Sequence, residues 1–354
     1  MDGNPRGHHR MEITLIVCTY NRCDNLRTLL DSVAQSVMPN GVEWEVLIVD
    51  NNSSDRTREV VEEFCQQEGS RFRYLFEPHQ GKTYALNSGI REARGTILAF
   101  TDDDVTVEPD WLHNLTSNLR SGEWAGAAGR VSRTWTCCPP RWLSLEPRYR
   151  KMGFALVSFE IDQEAGELPS QYPPVGANMA FRQEVFAKHG GFRTDLGPKG
   201  DETGDSGRQR VGLVADGNFQ APRRYDDTEL GQRLMSRGER IRYEPSAIVY
   251  HPVPEHRLTK DYFLFWWCGR GRDTNLILPN RGPVLGIPRY YLRIAKMAAL
   301  FTGNAVAWLV AVKPYRRFYY KLMTWEMAGS IMGAIALHRR QVPVGDLERS
   351  QVKV

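Results

Sequence analysis

The stretch ITLIVCTY at residues 13–20 is a continuous apolar run rich in β-branched residues, which is the pattern of a buried strand. The next residues, NRCDNLRTLLDSVAQS, place their apolar side chains at helical intervals. WEVLIVD at 44–50 starts a second strand and helix pair, and FRYLFE, a helix near 82–94 and TILAF continue the series. Because strands alternate with helices, we predict an α/β fold with a mostly parallel central sheet and helices on both faces.

The chain has 354 residues, enough for about two domains or for one large domain with an extension. The Gly-, Asp- and Arg-rich segment at 195–224 has weak periodicity and is predicted to be a flexible loop that acts as a lid. The expected order is a tail (1–11), a main domain (12–255) with halves at 12–120 and 121–255, a C-terminal helical region (256–340) and a second tail (341–354).

Composition excludes several classes of protein. A hydrophobic content of 41% and a charged content of 25% are typical of a globular chain. A net charge of +4 is small for this length and argues against a dedicated nucleic-acid binder. The six cysteines form no CxxC pair, and the first residues lack the apolar segment of a secretory signal, so we expect reduced thiols and a cytoplasmic location.

Two apolar segments near the C-terminus, MAALFTGNAVAWLVAV at 297–312 and MAGSIMGAIAL at 327–337, are shorter than the ~20 apolar residues of a spanning helix. Basic and aromatic flanks such as KPYRRFYYK are typical of interfacial helices. One interpretation is therefore peripheral contact of residues 284–340 with the inner face of the cell membrane. An ordinary helical subdomain explains the same pattern, and both interpretations stay open.

Polar clusters follow three of the predicted strands, in CTYNR, VDNNSSD and FTDDDV. Ligands of open α/β sheets bind at the carboxyl ends of the strands. If the strands pair in parallel, the three clusters lie along one rim of the sheet. Contacts to a nucleobase, a ribose and a phosphate could then come from different strands.

The three consecutive aspartates Asp102, Asp103 and Asp104 indicate a divalent cation, because adjacent ionised carboxylates near a core repel one another unless a cation or hydrogen-bond donors compensate them. Mg²⁺ and Mn²⁺ bind one or two carboxylates and complete their shell with water and phosphate oxygens. A helix-capping turn is the alternative, but it would need one aspartate only. His251, at the end of a later strand pattern, could give the same cation a neutral nitrogen, although a lone histidine is more often structural.

Further candidates carry phosphate-binding or acid–base chemistry. Lys82 follows a glycine and suits a diphosphate, with a solvated helix-start lysine as the alternative. Arg270 and Arg272 have planar guanidinium groups that suit a diphosphate, with a solvated loop as the alternative. Asp226 and Asp227 open a predicted helix, where acids favour the helix dipole. They could act as a general base toward an acceptor hydroxyl if they face the same rim.

Taken in order, seven segments over about residues 12–255 resemble the family-2 inverting glycosyltransferases with the GT-A fold. They are ITLIVCTYNR, VLIVDNNSSDRT, GKTYALNSGI, FTDDDV followed by DWL, VGANMAFRQEVFAKHGGF, DDTELGQRL and IRYEPSAIVYH. The resemblance implies a UDP-, GDP- or dTDP-sugar donor, an Mn²⁺ or Mg²⁺ ion and a displacement that inverts the anomeric carbon. It also implies a saccharide, lipid-linked or small-molecule acceptor, in cell-envelope polysaccharide, glycolipid or secondary-metabolite assembly.

The resemblance also implies roles for matched residues. Asp227 would be the base, while Asp226 replaces the usual Glu and leaves open which carboxylate takes the proton. Asp102 and Asp104 match the family's Asp-x-Asp motif at the ribose, metal and diphosphate, and His251 matches a metal ligand of related enzymes. The remaining matched residues are expected to bind substrate: Thr19 and Asp50 at the nucleoside, and Asn21, Lys82, Asp103 and Asn178.

Three rival functions make different demands on the sequence. A sugar-1-phosphate nucleotidyltransferase would carry a basic, Gly-rich loop after its first strand, where this chain has CTYNRCDN. A catalytically silent, membrane-associated scaffold would have broken carboxylate motifs. A processive polysaccharide synthase would need several spanning helices.

Overall fold

The computed structural model describes residues 11–199, 212–213, 219–220, 225–277 and 289–339. Both predicted tails, apart from Met11, lie outside these residues. So do most of the predicted lid at 195–224 and the first residues of the 284–340 region.

The described secondary structure comprises eleven strands and nine α-helices. The strands are β1 (Ile13–Thr19), β2 (Trp44–Asp50), β3 (Phe72–Phe76), β4 (Ile97–Asp102), β5 (Thr106–Val107), β6 (Gly126–Trp135), β7 (Gly166–Glu167), β8 (Met179–Arg182), β9 (Gly212–Leu213), β10 (Phe219–Gln220) and β11 (Ile241–Val253). The helices are α1 (Cys23–Ala34), α2 (Thr57–Glu68), α3 (Lys82–Glu92), α4 (Trp111–Thr116), α5 (Gln183–His189), α6 (Asp226–Ser236), α7 (Lys260–Ile277), α8 (Arg289–Val310) and α9 (Pro314–Arg339).

Nine strands form one central sheet in the order β3-β2-β1-β4-β8-β6-β11-β5, with β7 also paired to β11. The first four strands are parallel, as predicted. The second half is mixed, because β8 runs antiparallel to both β4 and β6, and β5 and β7 run antiparallel to β11. Parallel neighbours need a crossover connection, usually a helix. The segment between β6 and β8 contains no α-helix, which agrees with their antiparallel pairing. The α/β class is confirmed, with a sheet that is mixed in its second half.

Helices cover both faces of the sheet. On one face, α1, α2 and α4 bury residues such as Leu30 and Trp111. On the other, α3, α5 and α6 bury residues such as Phe186 and Leu230. Strands β1 and β2 are buried along almost their whole length, which explains why their sequences read as continuous apolar runs.

Strand register aligns the polar clusters of the first strands. Thr19 of β1 pairs with Asp50 of β2, and Cys18 pairs with Asp102 of β4. These strands are parallel, so their carboxyl ends meet at one rim of the sheet. The prediction that the segments CTYNR, VDNNSSD and FTDDDV lie at one rim of the sheet is therefore confirmed.

The three C-terminal helices pack in series, since α7 contacts α9 and α9 contacts α8. Glycines bring α7 and α9 close together: a Cβ added at Gly271 would lie 1.9 Å from the carbonyl oxygen of Glu326, and one added at Gly329 would lie 2.0 Å from that of Cys268. Rings from Trp142 and Phe318 join these helices to the main domain. Among the residues that the structure describes, no helix has the length and apolar character needed to cross a membrane.

Candidate active site

A cavity of about 500 Å³ opens at the rim where the first strands end. Its lining combines the ends of β1 and β4, the starts of α3 and α6, the end of β11 and one side of α7. Of the residues predicted from sequence, it contains Thr19, Lys82, Asp102, Asp103, Asp104, Asp226, Asp227, His251 and Arg270. The rim therefore brings together most of the residues that the motifs indicated.

Asp102, Asp104 and His251 form a three-residue cluster whose carboxylate and imidazole atoms all lie within 4.8 Å of one another. Asp102 is the last residue of β4, and His251 comes from β11 on the far side of β8 and β6. Nε2 of His251 lies 3.4 Å from Oδ1 of Asp104. Nδ1 of the same ring lies 2.9 Å from the carbonyl oxygen of Pro252, which can only accept a hydrogen bond. In the neutral imidazole, Nδ1 therefore carries the proton and Nε2 turns its lone pair toward Asp104.

Two arginines that the sequence analysis did not identify stabilise the aspartate cluster. Arg22 donates to Oδ1 of Asp103 at 3.0 Å and lies 3.3 Å from Oδ2 of Asp104. Arg257 lies 3.5 Å from the same Asp104 oxygen. Burial raises the pKa of Asp103, and Arg22 opposes this shift. Arg22 ends the CTYNR motif, so the sequence offered a reason to place it near the cavity. Arg257 lies outside the recognised motifs, and nothing in the sequence indicated its contact with Asp104.

Lys82 is the first residue of α3, and its Nζ lies 2.6 Å from Oδ1 of Asp102. Burial alone would raise the pKa of Asp102, but the Lys82 ammonium, together with other groups such as Arg22, holds that pKa below its ordinary value. Burial disfavours the charged lysine too, yet Asp102 and Asp226 raise the pKa of Lys82 above the ordinary range. Lys82 is therefore a charged residue of the cavity lining, paired with Asp102, rather than a solvated lysine at a helix start.

Asp226 and Asp227 enter the cavity from the start of α6, and Tyr225 before them has a left-handed backbone with φ of 76°. The carboxylate of Asp227 is fixed by two backbone donors: Gly176 N–H to Oδ2 at 2.7 Å and Thr228 N–H to Oδ1 at 2.6 Å. Burial raises the pKa of Asp226 to about 6, with Lys82 opposing and Asp227 adding to the shift. Both carboxylates face the rim that holds Asp102, as the general-base hypothesis requires.

Two of the predicted nucleotide-binding residues do not line the cavity. Both oxygens of Asp50 accept hydrogen bonds, from the Ser53 backbone N–H at 2.9 Å and the Tyr74 hydroxyl at 2.8 Å. Asn21 has φ of 51°, and its Oδ1 accepts a bond from the backbone N–H of Ser54. They connect the polar segments after β1 and β2, while the adjacent residue Asn51 reaches the cavity.

Asn178 and Arg272 also lie away from the cavity lining. Asn178 is fully buried; its Oδ1 accepts from the Trp111 indole at 2.8 Å, and its amide donates to the carbonyls of Arg130 and Ala247. Arg272 lies in helix α7 and donates to the neighbouring Asp273. Residues two apart in a helix point to nearly opposite sides, so Arg270 reaches the cavity and Arg272 does not. The alternative of a solvated loop is wrong for both arginines, because α7 is a packed helix.

One side of the cavity is an aromatic arm formed by Phe154, Tyr225, Tyr262 and Trp266. The Arg270 guanidinium lies between 5.4 and 5.8 Å from the ring centres of Phe154, Tyr225 and Trp266. Its Nε donates to Oε1 of Glu326 on α9 at 3.1 Å. The arm therefore combines flat apolar surfaces with one charged group that is held in place by the C-terminal helices.

The α/β fold with its mixed central sheet is similar to that of the GT-A glycosyltransferases. The model of Glycosyl transferase family 2 matches residues 14–190, which is half of the chain, so this protein belongs to that family. The matched span includes the polar residues that follow β1 and the three aspartates Asp102, Asp103 and Asp104.

Similar proteins with curated descriptions are glycosyltransferases or take part in polysaccharide synthesis. The chain is 26% identical over 277 residues to the glucosyl-dolichyl phosphate glucuronosyltransferase of Haloferax volcanii, covering 76% of this chain and 79% of the relative. It is 27% identical over 254 residues to the succinoglycan biosynthesis protein ExoM of Rhizobium meliloti, covering 70% and 69%. The crystal structure of S. aureus TarS is similar in fold, with a TM-score of 0.50 and 14% identity, covering 92% of this chain and 55% of TarS.

Proposed function

We propose that this protein is a metal-dependent, inverting glycosyltransferase that moves a sugar from a nucleotide-diphosphate sugar to an acceptor hydroxyl. The observation that carries the proposal is the meeting, in one cavity, of the Asp102, Asp104 and His251 cluster with the carboxylates of Asp226 and Asp227. The first set suits a cation on a diphosphate, and the second suits removal of a proton. Membership of family 2 supports the same reaction class.

The donor set fits a divalent cation such as Mn²⁺ or Mg²⁺, held by Asp102, Asp104 and His251. Two acceptor atoms, Nε2 of His251 in its neutral form and Oδ1 of Asp104, face each other at 3.4 Å, an arrangement that a cation relieves. When bound, the cation would offset the negative charge that develops on the departing diphosphate. Lys82 and Thr19 lie in the same cavity and would contact the diphosphate and the nucleoside, respectively.

Asp227 is the base in this proposal. Its carboxylate would take the proton of the acceptor hydroxyl while that oxygen bonds to the anomeric carbon and the nucleoside diphosphate departs from the opposite face. Two backbone N–H groups hold the carboxylate in one orientation. Asp226 is the alternative base, because a carboxyl with a pKa of about 6 is mostly ionised near neutrality and is more basic than an ordinary aspartate.

The aromatic arm would hold the acceptor. A sugar ring offers an apolar face that can pack on Trp266 or Tyr262, and Arg270 would bind an anionic or hydroxyl group beside it. The names of the relatives refer to a dolichyl-phosphate-linked sugar and to succinoglycan. We infer a saccharide or lipid-linked acceptor of envelope polysaccharide or glycolipid assembly, used at the cytoplasmic side.

A thermal-shift titration with UDP, GDP and dTDP, each with and without Mn²⁺, tests the donor half of this proposal. We expect one nucleotide to raise the melting temperature only when Mn²⁺ is present, and Asp104→Ala to abolish the rise. Asp31→Ala, at an exposed position of α1, is the matched control and should keep it. A folded protein that responds to none of the nucleotides would contradict the proposal and favour a silent scaffold.

The transfer itself is tested by incubating the responding nucleotide's sugar conjugates with saccharide and lipid-linked acceptors. Release of a nucleoside diphosphate and an inverted anomeric configuration in the product, read by NMR, are the expected results. Release of pyrophosphate from a nucleoside triphosphate and a sugar 1-phosphate would identify a nucleotidyltransferase instead.

A further inference from the structure

Helix α8 has an outer face of large apolar side chains that the rest of the described chain leaves exposed. Leu309 is 72% exposed, Val310 71%, Tyr291 57% and Val306 55%. Val312, just beyond the helix, is 93% exposed. These side chains form one surface rather than isolated exceptions, because at 100° per residue the four helical positions fall within about 100° of one another.

The opposite side of α8 is already used for packing. It rests on α9, where the ring of Trp308 lies 6.1 Å from that of Trp325. An amphipathic surface helix normally turns its apolar face inward and its polar face to water. Since α8 has apolar residues on both sides, its outer face is suited to contact with something apolar outside the chain.

Charge identifies the kind of surface that α8 fits. Between residues 289 and 325 the sequence contains no Asp or Glu. It contains seven basic residues: Arg289, Arg293, Lys296, Lys313, Arg316, Arg317 and Lys321. Lys296 and Lys313 are exposed near the two ends of the apolar face. A partner must therefore offer both apolar contact and negative charge.

A second copy of this chain does not meet that requirement. In a twofold contact the same patch lies on both subunits, so the two sets of basic residues would face each other. A bilayer with anionic headgroups meets both demands, because it takes up apolar side chains at the acyl boundary and attracts lysine and arginine. Each basic residue near such a surface strengthens binding roughly fivefold.

We propose that α8 docks on an anionic lipid bilayer, lying in the plane of the interface with Leu309, Val310 and Val306 at the acyl boundary. Lys296 and Lys313 extend their aliphatic stems along the apolar surface and place their ammonium groups among the headgroups. The 22-residue helix lies on the membrane and does not cross it. This inference concerns binding alone and does not depend on the proposed sugar transfer.

Flotation of the full-length protein with vesicles tests the proposal. The vesicles are phosphatidylcholine alone or phosphatidylcholine mixed with phosphatidylglycerol. We expect flotation with the anionic vesicles, much less with the neutral ones, and a decrease as salt screens the charges. The double variant Leu309→Asp/Val310→Asp should no longer float. Lys296→Gln/Lys313→Gln/Arg317→Gln should lower the partition coefficient on anionic vesicles roughly a hundredfold.

Val37→Asp is the matched control, because Val37 is a 65% exposed valine in the loop after α1. It should float like the unchanged protein, and circular dichroism should show that all variants are folded. Equal flotation of the Leu309→Asp/Val310→Asp variant and the unchanged protein would overturn the proposal, as would no flotation with anionic vesicles. A vesicle-free dimer that the double variant converts to a monomer in light scattering would assign the face to self-association instead.

Discussion

The backbone N–H of Gly176 donates a 2.7 Å hydrogen bond to Oδ2 of Asp227. Gly176 belongs to the loop before β8 and Asp227 to the start of α6, so the bond joins two segments that are distant in sequence. A carboxylate has about four acceptor positions, so one oriented by two backbone donors still has lone pairs for a substrate proton. The Gly176 bond therefore orients Asp227 without using up its capacity as a base.

Asp227→Asn should lower kcat by about 10²–10⁴-fold and leave the fold intact. Asparagine has nearly the same shape and its carbonyl oxygen can still accept the Gly176 bond, but it cannot take a proton. Initial rates with saturating donor and acceptor, together with the melting temperature, measure the two effects. Asp226→Asn is the comparison and should reduce kcat much less. If the Asp227 variant keeps its turnover and the Asp226 variant does not, the base is Asp226.

Asp226 also predicts a pH dependence of stability. Burial raises its pKa from 3.8 to about 6, so the folded state holds this proton more tightly than the unfolded state does. As pH rises through this window the unfolded carboxyl ionises first, and folding loses stability that was present at lower pH. Above about pH 6 the ionised, buried Asp226 destabilises the folded protein by about 3 kcal/mol, since one pKa unit corresponds to ~1.4 kcal/mol.

Asp226→Asn should remove this loss of stability. The difference in melting temperature, variant minus unchanged protein, should be small near pH 4 and grow to several degrees by about pH 7. Scanning fluorimetry without nucleotide or divalent cation measures it. Asp31→Asn, at an exposed position, should give a difference that does not change with pH. A flat difference for the Asp226 variant as well would mean that its carboxyl is ordinary in the folded state.

The sequence predicted the parallel half of the sheet because its strands are buried on both faces and read as unbroken apolar runs. It also predicted that the polar segments after β1, β2 and β4 lie at one rim, because the carboxyl ends of parallel strands meet at the same edge of a sheet. That Asp227 faces this rim was only a condition of the general-base hypothesis, because Asp227 opens a helix and does not follow a strand. The second half of the sheet was harder. Whether β8 runs parallel or antiparallel to β4 depends on the path of the long connection before it, and local periodicity carries no information about that path.

A sequence motif does not show which of its residues bind a ligand and which stabilise the fold around the site. Asn178 and Asp50 lie in matched segments, yet their polar atoms are used by Trp111 and Tyr74 inside the protein. Arg257 contacts Asp104 from outside the recognised motifs. These assignments depend on pairings between residues far apart in the chain, and a single sequence does not encode them in any local pattern.

Gly329 allows α7 and α9 to approach each other, and its replacement should be strongly destabilising. A Cβ at this position would lie 2.0 Å from the carbonyl oxygen of Cys268, a backbone atom that cannot move without moving α7. Gly329→Ala should therefore lower the melting temperature by several degrees, as overpacking of about 1–3 kcal/mol does. It should also raise the KM for the acceptor, because α7 carries Trp266 and Arg270.

Gly303→Ala is the matched control for that change. Gly303 lies inside α8 and an added Cβ would meet no atom within 4 Å. Alanine favours a helix over glycine by about 1 kcal/mol, so this variant should melt at the same or a higher temperature. Similar melting temperatures for the two alanine variants would mean that α7 and α9 do not need close backbone contact.

The ion pair between Arg270 and Glu326 connects the aromatic arm to α9, with Nε and Oε1 at 3.1 Å. Burial raises the pKa of Glu326, and Arg270 counteracts that shift. Arg270→Met should therefore destabilise the protein by about 2 kcal/mol near neutral pH, because the glutamate stays buried without its partner. The double variant Arg270→Met/Glu326→Gln should recover most of this stability, since no buried charge is left unpaired.

If Arg270 also binds the acceptor, the double variant should regain its melting temperature while its acceptor KM stays high and its donor KM is unchanged. Recovery of acceptor KM along with stability would show that Arg270 only supports the helices around the cavity.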